Sequence, residues 1–491
     1  MSASIPIIQP ISAVRRVRPL VVSAPLQKLV AVVVAAGGRP VAVGGAVRDG
    51  LRDQPQKDID VEVFGLALVD LEAVFVAAGF SVHAVGRAFG VLKVDVVVVA
   101  VDGAVERDTI DVALPRTESK VGSGHRGFVV ESDPHMSFKD AAARRDFTIN
   151  AIGIDLVNGE LLDPWGGVAD LEAGVLRHVS AAFDEDPLRV LRAAQFAARF
   201  GFVLDDGTIE RCRALRGELS SLAVERIGEE LKKLLIKGVW PSMGLQVLRA
   251  VGAVDVLFAE LHALIDCPQE TEWHPEGNVW VHTLMVTDEA ARLSRLHGLD
   301  DDGVLVCVLA ALCHDLGKPA TTVFEDGRLR SRDHESQGEG PTRTFCARLG
   351  IPKNTEDVVV ALVRDHLKPF MLWRDKDNVS DGAIRRLALR VPLSMLCRVA
   401  AADHFGRTTV EALLRDDPVS PWLLGRAKEL AVADAAPTPL LLGRDLQAVG
   451  LSPGKAFGVL LKEAFEAQLE GTFGDHDGAV LWLKQRVQVA S

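Results

Sequence analysis

The sequence lacks closely paired cysteines. Its six cysteines include no C-x-x-C pair and follow no regular spacing over the 491 residues. Disulfide frameworks are typical of short secreted chains with regular cysteine patterns, which this chain does not show. Reduced thiols in a cytosol are the simplest interpretation.

Long apolar runs are also scarce. No stretch approaches the roughly 20 apolar residues that a membrane span requires. Three arginines before residue 20 precede apolar residues, as in a signal peptide, but Pro25, Gln27 and Lys28 interrupt the run. We therefore expect a soluble cytoplasmic protein that has no membrane partner and whose residues 1–20 form a flexible N-terminus.

An excess of positive charge is absent as well. The chain has 55 Lys and Arg against 67 Asp and Glu, a net charge of −12. Proteins that coat nucleic acid need a positive surface, so any nucleic-acid site must be a local patch. No internal repeat is present. The length predicts two to four domains, and the 48% of hydrophobic residues can fill their cores.

Residues 40–64 place a glycine pair and two carboxylates close together in the chain. The apolar run before Gly44 and Gly45 predicts a strand, and the glycines let the backbone turn tightly and approach a ligand without a Cβ in the way. A helix beginning there would present free N–H groups to a phosphate, with Arg48 nearby.

The two carboxylates of this stretch suggest a metal site. Asp58 and Asp60 alternate in a strand-like segment, 58–64, so both should project from the same face. Adjacent carboxylates repel unless a cation lies between them, and oxygen ligands suit Mg²⁺. Two such ions could activate a 3′-hydroxyl and hold a triphosphate. A lone glycine pair or D-x-D is common without function, but their order here favours a catalytic site.

A third acid follows on another predicted strand. Asp111 could complete a carboxylate triad, although a surface acid before Pro115 is an equally good interpretation and Asp95 is a rival. Strand and helix signals alternate up to about residue 155, which predicts a small α/β or α+β head. The predicted strands are 58–64, 89–101 and 109–114, and the predicted helix is 66–78.

The next unusual string contains two adjacent arginines. Arg144 and Arg145 offer donors to phosphate, and Asp146 and Asn150 offer acceptors to ribose hydroxyls. The alternative is a helix end with capping residues.

The stretch 184–202 predicts a helix whose first turn could read a base. Asp186 before Pro187 is a strong helix start. The Asp186 acceptor and the Arg189 donor, one turn apart, complement cytosine and adenine and mismatch uracil and guanine. A capping aspartate and an exposed arginine stripe would explain the same residues without a ligand. Residues 187–237 carry ten Lys and Arg against seven Asp and Glu, which suggests a helical body that touches RNA.

A second chemical centre lies between residues 274 and 404. Histidines and aspartates occur there in the order H, HD, H, H, D, and residues of these types from several helices can converge on a metal. An isolated helical histidine is more often structural, but this order is specific. A metal-bound hydroxide would hydrolyse phosphoesters, and the histidines do not identify the metal. The candidate ligands are His282, His314, Asp315 and Asp403, with His334 and His366 as further candidates.

Several strings together resemble the bacterial-type tRNA nucleotidyltransferase and poly(A) polymerase family. They are GGAVRD, DID, RRDFTINAIG, GGVADL at 166–171, EDPLRVLR and GHRGF at 124–128. HPEGNVWVHT and CHDLGKP resemble an HD phosphohydrolase domain attached to CCA-adding enzymes. The likeness covers about residues 40–485.

The resemblance implies an α+β fold in which a polymerase-β-like head precedes helical domains. A helical tail, including a predicted helix at 455–470, follows the HD-type domain. The predicted segments are 1–20 (N-terminus), 21–160 (nucleotidyltransferase head), 161–265 (helical neck and body), 266–405 (HD-type domain) and 406–491 (tail).

The resemblance also implies roles for residues. Asp58 and Asp60 would bind the catalytic Mg²⁺, and Asp186 and Arg189 would act as a protein template for CTP and ATP. Gln195 stands where many relatives carry another nucleotide-contacting arginine, which leaves triphosphate affinity and the choice between C and A open. The implied nucleotide-binding residues are Gly44, Gly45, Arg48, Asp49, Arg145, Asp186, Arg189, Arg192 and Gln195.

The sequence therefore predicts a template-independent transferase that adds C and A from CTP and ATP to tRNA 3′ ends. Enzymes that add only CC or only A remain alternatives. A poly(A) polymerase would be expected to carry more basic residues than Arg87–Gly90 provides. Another alternative is a metal phosphohydrolase that uses a second divalent metal in the HD domain. A non-enzymatic RNA-binding protein is disfavoured because clustered carboxylates repel phosphate. No protein partner can be inferred.

Overall fold

The chain forms two compact units. The computed structural model describes residues 22–55, 58–86, 90–99, 104–120 and 128–490. Unit 1 runs to Glu230 and includes Met243–Leu257, and unit 2 takes Leu231–Ser242 and Phe258 onward. The predicted flexible N-terminus lies outside the described residues, as do 87–89 and 124–127. The five predicted segments remain a prediction.

Unit 1 contains the following strands: β1 (Arg39–Val43), β2 (Asp60–Phe64), β3 (Ser81–Gly86), β4 (Val91–Val99), β5 (Val105–Ala113), β6 (Arg116–Lys120), β7 (Phe128–Ser132), β8 (Gly153–Asp155), β9 (Leu161–Leu162), β10 (Val175–Leu176) and β11 (Val203–Leu204). Seven of them form one mixed sheet in the order β3-β4-β5-β2-β1-β8-β9. Within this sheet β2 and β5 are parallel and the other neighbouring pairs are antiparallel.

The helices of unit 1 are α1 (Ala24–Ala35), α2 (Gly45–Leu51), α3 (Leu68–Ala77), α4 (Phe138–Ala143), α5 (Gly167–Ala173), α6 (Leu188–Phe200), α7 (Asp206–Ala214), α8 (Val224–Lys237), α9 (Pro241–Ala250) and α10 (Ala253–Leu257). Helices α8 and α9 run across the boundary between the units. The strands of unit 1 alternate with helices at first and give way to helices after β11, which confirms the predicted α+β class.

Helices α1 and α3 cover one face of the sheet. Leu29 of α1 and Phe75 of α3 are fully buried with Val63 of β2 and Val112 of β5. Burying a side chain of this size contributes about 1.5–3 kcal/mol, so this layer fixes the strands firmly. The ends of β2 and β5 that carry the candidate acids are positioned by that core.

One predicted strand begins later than expected. The prediction of strand structure over 58–64 is wrong at its start, because β2 begins at Asp60. Asp58 has a φ of +48°, in the left-handed region, and so cannot continue an extended strand. Its side chain is therefore placed by a turn and not by the alternation of strand residues.

Unit 2 is helical, with one small hairpin of β12 (Thr322–Glu325) and β13 (Arg328–Ser331). Its helices are α11 (Ala259–His262), α12 (Val279–Leu296), α13 (Asp301–Cys313), α14 (Lys318–Thr321), α15 (His334–Gln337), α16 (Glu339–Arg348), α17 (Lys353–Asp365), α18 (Lys368–Arg374), α19 (Asp381–Ala388), α20 (Leu393–Phe405), α21 (Val410–Leu413), α22 (Val419–Glu429), α23 (Gly443–Ala448), α24 (Lys455–Leu469) and α25 (His476–Ala490).

Helix α13 is the core helix of unit 2. Among the described residues, the stretch Asp301–Thr321 is long and apolar enough to cross a membrane, but 78% of its most apolar window is buried inside the protein. The sequence had suggested no stretch of this kind. Its burial is what the central helix of a folded unit shows.

The end of the chain has its own small core. Leu446 of α23, Ala464 of α24 and Leu483 of α25 are buried together. The helix predicted at 455–470 is confirmed as α24.

Candidate functional sites

The parallel pairing of β2 and β5 brings two predicted acids together. Val61 is paired with Val112, so Asp60 and Asp111 occupy the preceding positions on neighbouring strands. Asp58 lies close enough to Asp60 for the two charges to interact. The structure thus gathers the three acids that the sequence nominated.

This acid cluster is short of positive charge. Burial by the surrounding protein raises the pKa of Asp60, and the negative charges of Asp111 and Asp58 raise it further. The positive charge of Arg145 acts in the opposite direction. Nζ of Lys93 lies 3.0 Å from Oδ1 of Asp111 and donates a hydrogen bond to Oδ2 (3.3 Å). Oδ1 of Asp111 is buried and receives no hydrogen bond in the described part of the chain. The three clustered carboxylates outnumber the nearby cations Lys93 and Arg145, and such a set of oxygens fits a divalent cation.

Asp95, the rival third acid, is engaged elsewhere. It lies opposite Thr109, two residues along the hairpin from the Lys93–Asp111 pair. Its carboxylate accepts a hydrogen bond from Thr109 (2.7 Å) and lies 2.8 Å from Nε2 of His83. Asp95 therefore does not join the cluster.

The glycine pair makes room beside the acids. Gly44 has a φ of +76°, and a Cβ there would lie 3.3 Å from Nη1 of Arg145 and 3.5 Å from Oδ2 of Asp60. At Gly45 a Cβ would lie 3.4 Å from Nη2 of Arg48. Side chains at these positions would crowd the groups that a nucleotide would contact.

Arg48 is buried and held by several partners. Its Nη1 donates to Oδ1 of Asn150 (2.5 Å) and its Nε donates to Oδ1 of Asp49 (2.9 Å). Arg145 donates from Nη1 to the backbone oxygen of Asn150 (3.4 Å). Asn150 thus connects the two arginines that the sequence nominated for phosphate.

The predicted base-reading helix forms, starting one residue later than the Asp186-Pro187 signal suggested. Helix α6 begins at Leu188, and Oδ1 of Asp186 accepts a hydrogen bond from its backbone nitrogen (3.1 Å). Oδ2 of Asp186 pairs with Arg226 (2.9 Å). The guanidinium of Arg189 donates to the backbone oxygens of Ala182 and Arg144.

Two further residues of this helix face inward. Arg192 pairs with Asp146 (2.6 Å), which also accepts a hydrogen bond from Asn150 (2.9 Å). Gln195 is buried, with 4% of its surface exposed. Arg226, the partner of Asp186, was missed because it lies on α8 and no local pattern connects it to α6.

The six candidate ligands of unit 2 converge as predicted. They come from helices α12, α15 and α20 and from the residues that follow α13 and α17. The closest approaches are His282 Nε2 to Asp403 Oδ1 at 3.1 Å, His314 Nε2 to Asp315 Oδ2 at 3.1 Å, His314 Nε2 to His282 Nε2 at 3.3 Å, His334 Nε2 to Asp315 Oδ1 at 3.3 Å, and His334 Nε2 to His366 Nε2 at 3.4 Å. All six residues are buried.

The outer nitrogens of the histidines fix which nitrogen faces the centre. Nδ1 of His314, His334 and His366 lies 2.6–2.8 Å from a backbone carbonyl oxygen. A carbonyl only accepts, so Nδ1 carries the proton and Nε2 presents its lone pair inward. Nδ1 of His282 lies 2.8 Å from Oε1 of Glu276. The centre is therefore lined by lone pairs and carboxylate oxygens, which suit a metal ion.

The charges of the centre agree with this arrangement. Burial alone would raise the pKa of Asp403, but Arg407 and His282 hold it well below its usual value. Burial lowers the pKa of His366 to about 3, helped by His334 and His314. A histidine that stays neutral and a carboxylate that stays ionised are the forms that bind metals.

Asp315 belongs to two candidate metal sites. One contains His282, His314 and Asp315, and the other contains Asp315, His334 and His366. Its Oδ2 is buried and forms an ion pair with Nζ of Lys318 at 2.8 Å. The donor set fits one or two divalent ions and does not identify the metal.

The sequence missed residues that surround this centre. Glu276 lies between Nδ1 of His274 (2.9 Å) and Nδ1 of His282, and its Oε2 accepts from the backbone of Thr408 (3.2 Å). Arg407 pairs with Asp403 (3.0 Å). The adjacent HPE string and the i+4 spacing of Arg407 were signals that could have identified them.

Three protein-family models match successive parts of the chain. Models described as the Poly A polymerase head domain, the Probable RNA and SrmB- binding site of polymerase A, and the HD domain match residues 41–177, 201–265 and 279–407.

Known proteins match most of the chain. A Multifunctional CCA protein of Xylella fastidiosa (strain M23) is 40% identical over 375 residues, which are 74% of this chain and 83% of that protein. One of Stenotrophomonas maltophilia (strain K279a) is 40% identical over 381 residues, 75% of this chain and 86% of that protein.

Solved structures share the fold at lower identity. The Bacillus stearothermophilus CCA-adding enzyme in complex with CTP is 21% identical, with a TM-score of 0.60 and coverage of 95% of this chain and 99% of that one. The Thermotoga maritima CCA-adding enzyme complexed with tRNA is 18% identical, with a TM-score of 0.56 and coverage of 97% and 100%. The predicted polymerase-β-like head and HD-type domain are confirmed, as is the nucleotidyltransferase class. This chain belongs to the family of multifunctional CCA proteins.

Proposed function

We propose that this nucleotidyltransferase adds C, C and A from CTP and ATP to tRNA 3′ ends, and that unit 1 carries the reaction. The observation that carries the proposal is the convergence of Asp58, Asp60 and Asp111 beside the glycine turn. A cytoplasmic location follows from the tRNA substrate and stays part of the proposal.

The acids would hold Mg²⁺. The ion supplies Lewis-acid chemistry when bound, polarising the attacking and leaving oxygens. Asp60 and Asp111, adjacent on parallel strands, offer oxygens on one side, and the turn at Asp58 adds a third group. Oxygen donors of this kind favour Mg²⁺.

The arginines would hold the triphosphate. Arg145 lies beside Gly44 and close to Asp60, so it can neutralise a phosphate next to the acids. Arg48 is oriented by Asn150 and Asp49. Guanidinium groups held in place by such partners bind phosphate oxygens in a fixed geometry.

Base choice would lie at the first turn of α6. Asp186 supplies acceptors and Arg189 supplies donors, the pattern that complements the edges of cytosine and adenine. Arg226 orients the Asp186 carboxylate through a 2.9 Å ion pair. A wrong base would present the opposite donor and acceptor pattern to these two side chains, and this mismatch lowers its kcat/KM.

The decisive experiment compares three forms of one tRNA. The protein is incubated with Mg²⁺, CTP and ATP and with tRNA that lacks CCA, lacks only A or is complete, and the 3′ ends are sequenced. We expect CCA on the first, A on the second and no addition to the third. Addition of CC alone, A alone or many A residues would identify the alternative enzymes, and the absence of any addition would reject the proposal.

We propose a second activity for unit 2, metal-dependent hydrolysis of phosphoesters in nucleotides or cyclic phosphates. The inward lone pairs of His314, His334 and His366 and the buried carboxylates of Asp315 and Asp403 favour it. The assay is phosphate release from a cyclic nucleotide in the presence of single divalent metals. His314→Ala should remove the activity and Asp60→Ala should leave it intact; the opposite pattern would place the hydrolysis in unit 1.

A further inference from the structure

Three arginines surround one phenylalanine ring at the end of α6. The guanidinium carbons of Arg52, Arg48 and Arg199 lie 4.4, 4.7 and 4.9 Å from the ring centroid of Phe200. A ring that stacks on a guanidinium fixes its plane and leaves N–H groups free at the edge. Phe200 therefore gathers three oriented cations in one small region of an acidic chain.

The positive charge of this cluster is only partly balanced. Asp49 pairs with both Arg48 (2.8 Å) and Arg199 (3.4 Å). The Arg52 guanidinium stacks on Phe202 as well (5.5 Å), but within the described ranges it makes no hydrogen bond or ion pair. Burial lowers the pKa of Arg52, and the positive charges of Arg48 and Arg199 lower it further. The negative charge of Asp49 acts in the opposite direction. Three cations against one carboxylate leave a net charge of +2.

The cluster adjoins the nucleotide site through direct contacts. Asn150 accepts hydrogen bonds from Arg48 and Arg145, and Arg145 lies beside Gly44. Arg52 follows Arg48 by one turn, at the C-terminal end of α2. A phosphate-bearing ligand at the glycine turn would thus have Arg52 near its outer end.

We propose that Arg52 and Arg199, held on Phe200, form a phosphate-binding subsite next to the nucleotide site. The inference rests on the proposed transfer reaction, which brings phosphate to this region from the tRNA backbone and from the nucleoside triphosphate. We assign the subsite to a backbone phosphate near the tRNA 3′ end, because Arg48 and Arg145 already lie closer to the acids. Phosphate oxygens match the free guanidinium edges in charge and geometry.

The test measures tRNA binding by full-length variants at several salt concentrations. Loss of one phosphate contact should weaken binding about fivefold to tenfold and reduce the slope of log affinity against log salt by about one. We expect this for Arg52→Gln and for Arg199→Gln. Arg39→Gln is the matched control, since Arg39 is a half-exposed arginine that pairs with Asp155 (2.6 Å) at the end of β1 away from the glycine turn.

A second measurement identifies the source of the phosphate. If the CTP KM rises in Arg52→Gln while the salt slope for tRNA stays unchanged, the subsite serves the triphosphate instead. If neither quantity changes in either variant, and both variants melt like the wild type, the subsite does not exist. Failure of the wild type to extend tRNA would reject the proposed reaction, whereas the salt slope would still report on the arginines.

Discussion

The two candidate metal sites are built in opposite ways. In unit 1 the acids lie at one end of the central strands β2 and β5. Asp58 and Asp60 remain accessible to solvent, and the surrounding protein raises the pKa of Asp60, with the charges of Asp111 and Asp58 adding to that effect. In unit 2 the ligands are buried, and their outer atoms are bound to fixed partners such as Glu276 and Arg407. The first arrangement suits a ligand that enters and leaves in each catalytic cycle. The second suits an ion that remains bound.

The sharpest separation of the two sites comes from Asp60→Ala. We expect nucleotide addition to fall about a thousandfold, because the Lewis-acid contribution of a bound ion amounts to several kcal/mol. Hydrolysis by unit 2 should not change. The measurement is single-turnover incorporation of labelled CTP. Asp95→Ala, on β4 of the same sheet and hydrogen-bonded to Thr109, is the control. Near-normal incorporation by Asp60→Ala would contradict the site.

Base choice should depend on unit 1 alone. Asp186→Ala removes the proposed acceptor for the amino groups of cytosine and adenine, so discrimination against UTP and GTP should fall about a hundredfold. The readout is the ratio of kcat/KM for CTP and UTP on tRNA that lacks CCA. Asp184→Ala removes an exposed acid two residues away that pairs with Arg211 and should keep the ratio. An unchanged ratio in Asp186→Ala would remove Asp186 from base reading.

We expect an intermediate effect when a residue that holds a metal ligand of unit 2 is replaced. Glu276→Gln should reduce metal affinity about tenfold to a hundredfold, because carboxylates that hold a ligating histidine have effects of that size. Bound metal is measured after equilibration against a chelator of known affinity. Glu289→Gln, on α12 together with His282 but paired with Arg292 and Arg415, should have no effect. Equal metal affinities for the wild type and Glu276→Gln would show that the contact of Glu276 with His282 does not strengthen metal binding.

The smallest expected effect concerns pH. The pKa of His366 is about 3 in the folded protein and lies near 6.5 in the unfolded chain. Between pH 3 and pH 6.5 the folded state therefore binds fewer protons than the unfolded state. The contribution of His366 to stability is present above the unfolded pKa, near 6.5, and is lost as the pH falls toward 3. Between pH 6.5 and 5.5 the metal-free protein should lose about 1 kcal/mol through this group.

His366→Gln should lack that part of the pH dependence. Hydrogen exchange of the α17 backbone in the presence of chelator is the measurement. The sign should be reversed at Asp60, whose raised pKa makes the folded state the better proton binder, so its stability contribution falls as the pH rises. Parallel pH profiles for wild type and His366→Gln would contradict the neutral state of the buried histidine.

Much of both sites could be predicted because chemistry-bearing residues occur close together in the sequence. Asp58 and Asp60 follow the glycine pair closely, and the His314-Asp315 pair is contiguous. Their roles follow from residue type and spacing, and the family resemblance added the order of domains. The parallel pairing that selects Asp111 over Asp95 depends on strand register.

The partners of these residues could not be predicted, because they come from distant parts of the chain. Arg226 reaches Asp186 across 40 positions. Lys93 meets Asp111 only through the register of a hairpin. Such contacts depend on the packing of complete elements, which local periodicity does not encode. Contacts of this kind fix the orientation of the functional groups.

The left-handed backbone at Asp58 allows two properties to be changed separately, the conformation of the turn and the negative charge of the side chain. Side chains other than glycine pay about 1 kcal/mol for this conformation, and asparagine tolerates it nearly as well as aspartate does. Asp58→Asn therefore keeps the turn and removes only the anion, whereas Asp58→Ala disturbs both. The charge of the proposed metal site can thus be changed separately from its backbone, by replacing one carboxylate oxygen with an amide nitrogen.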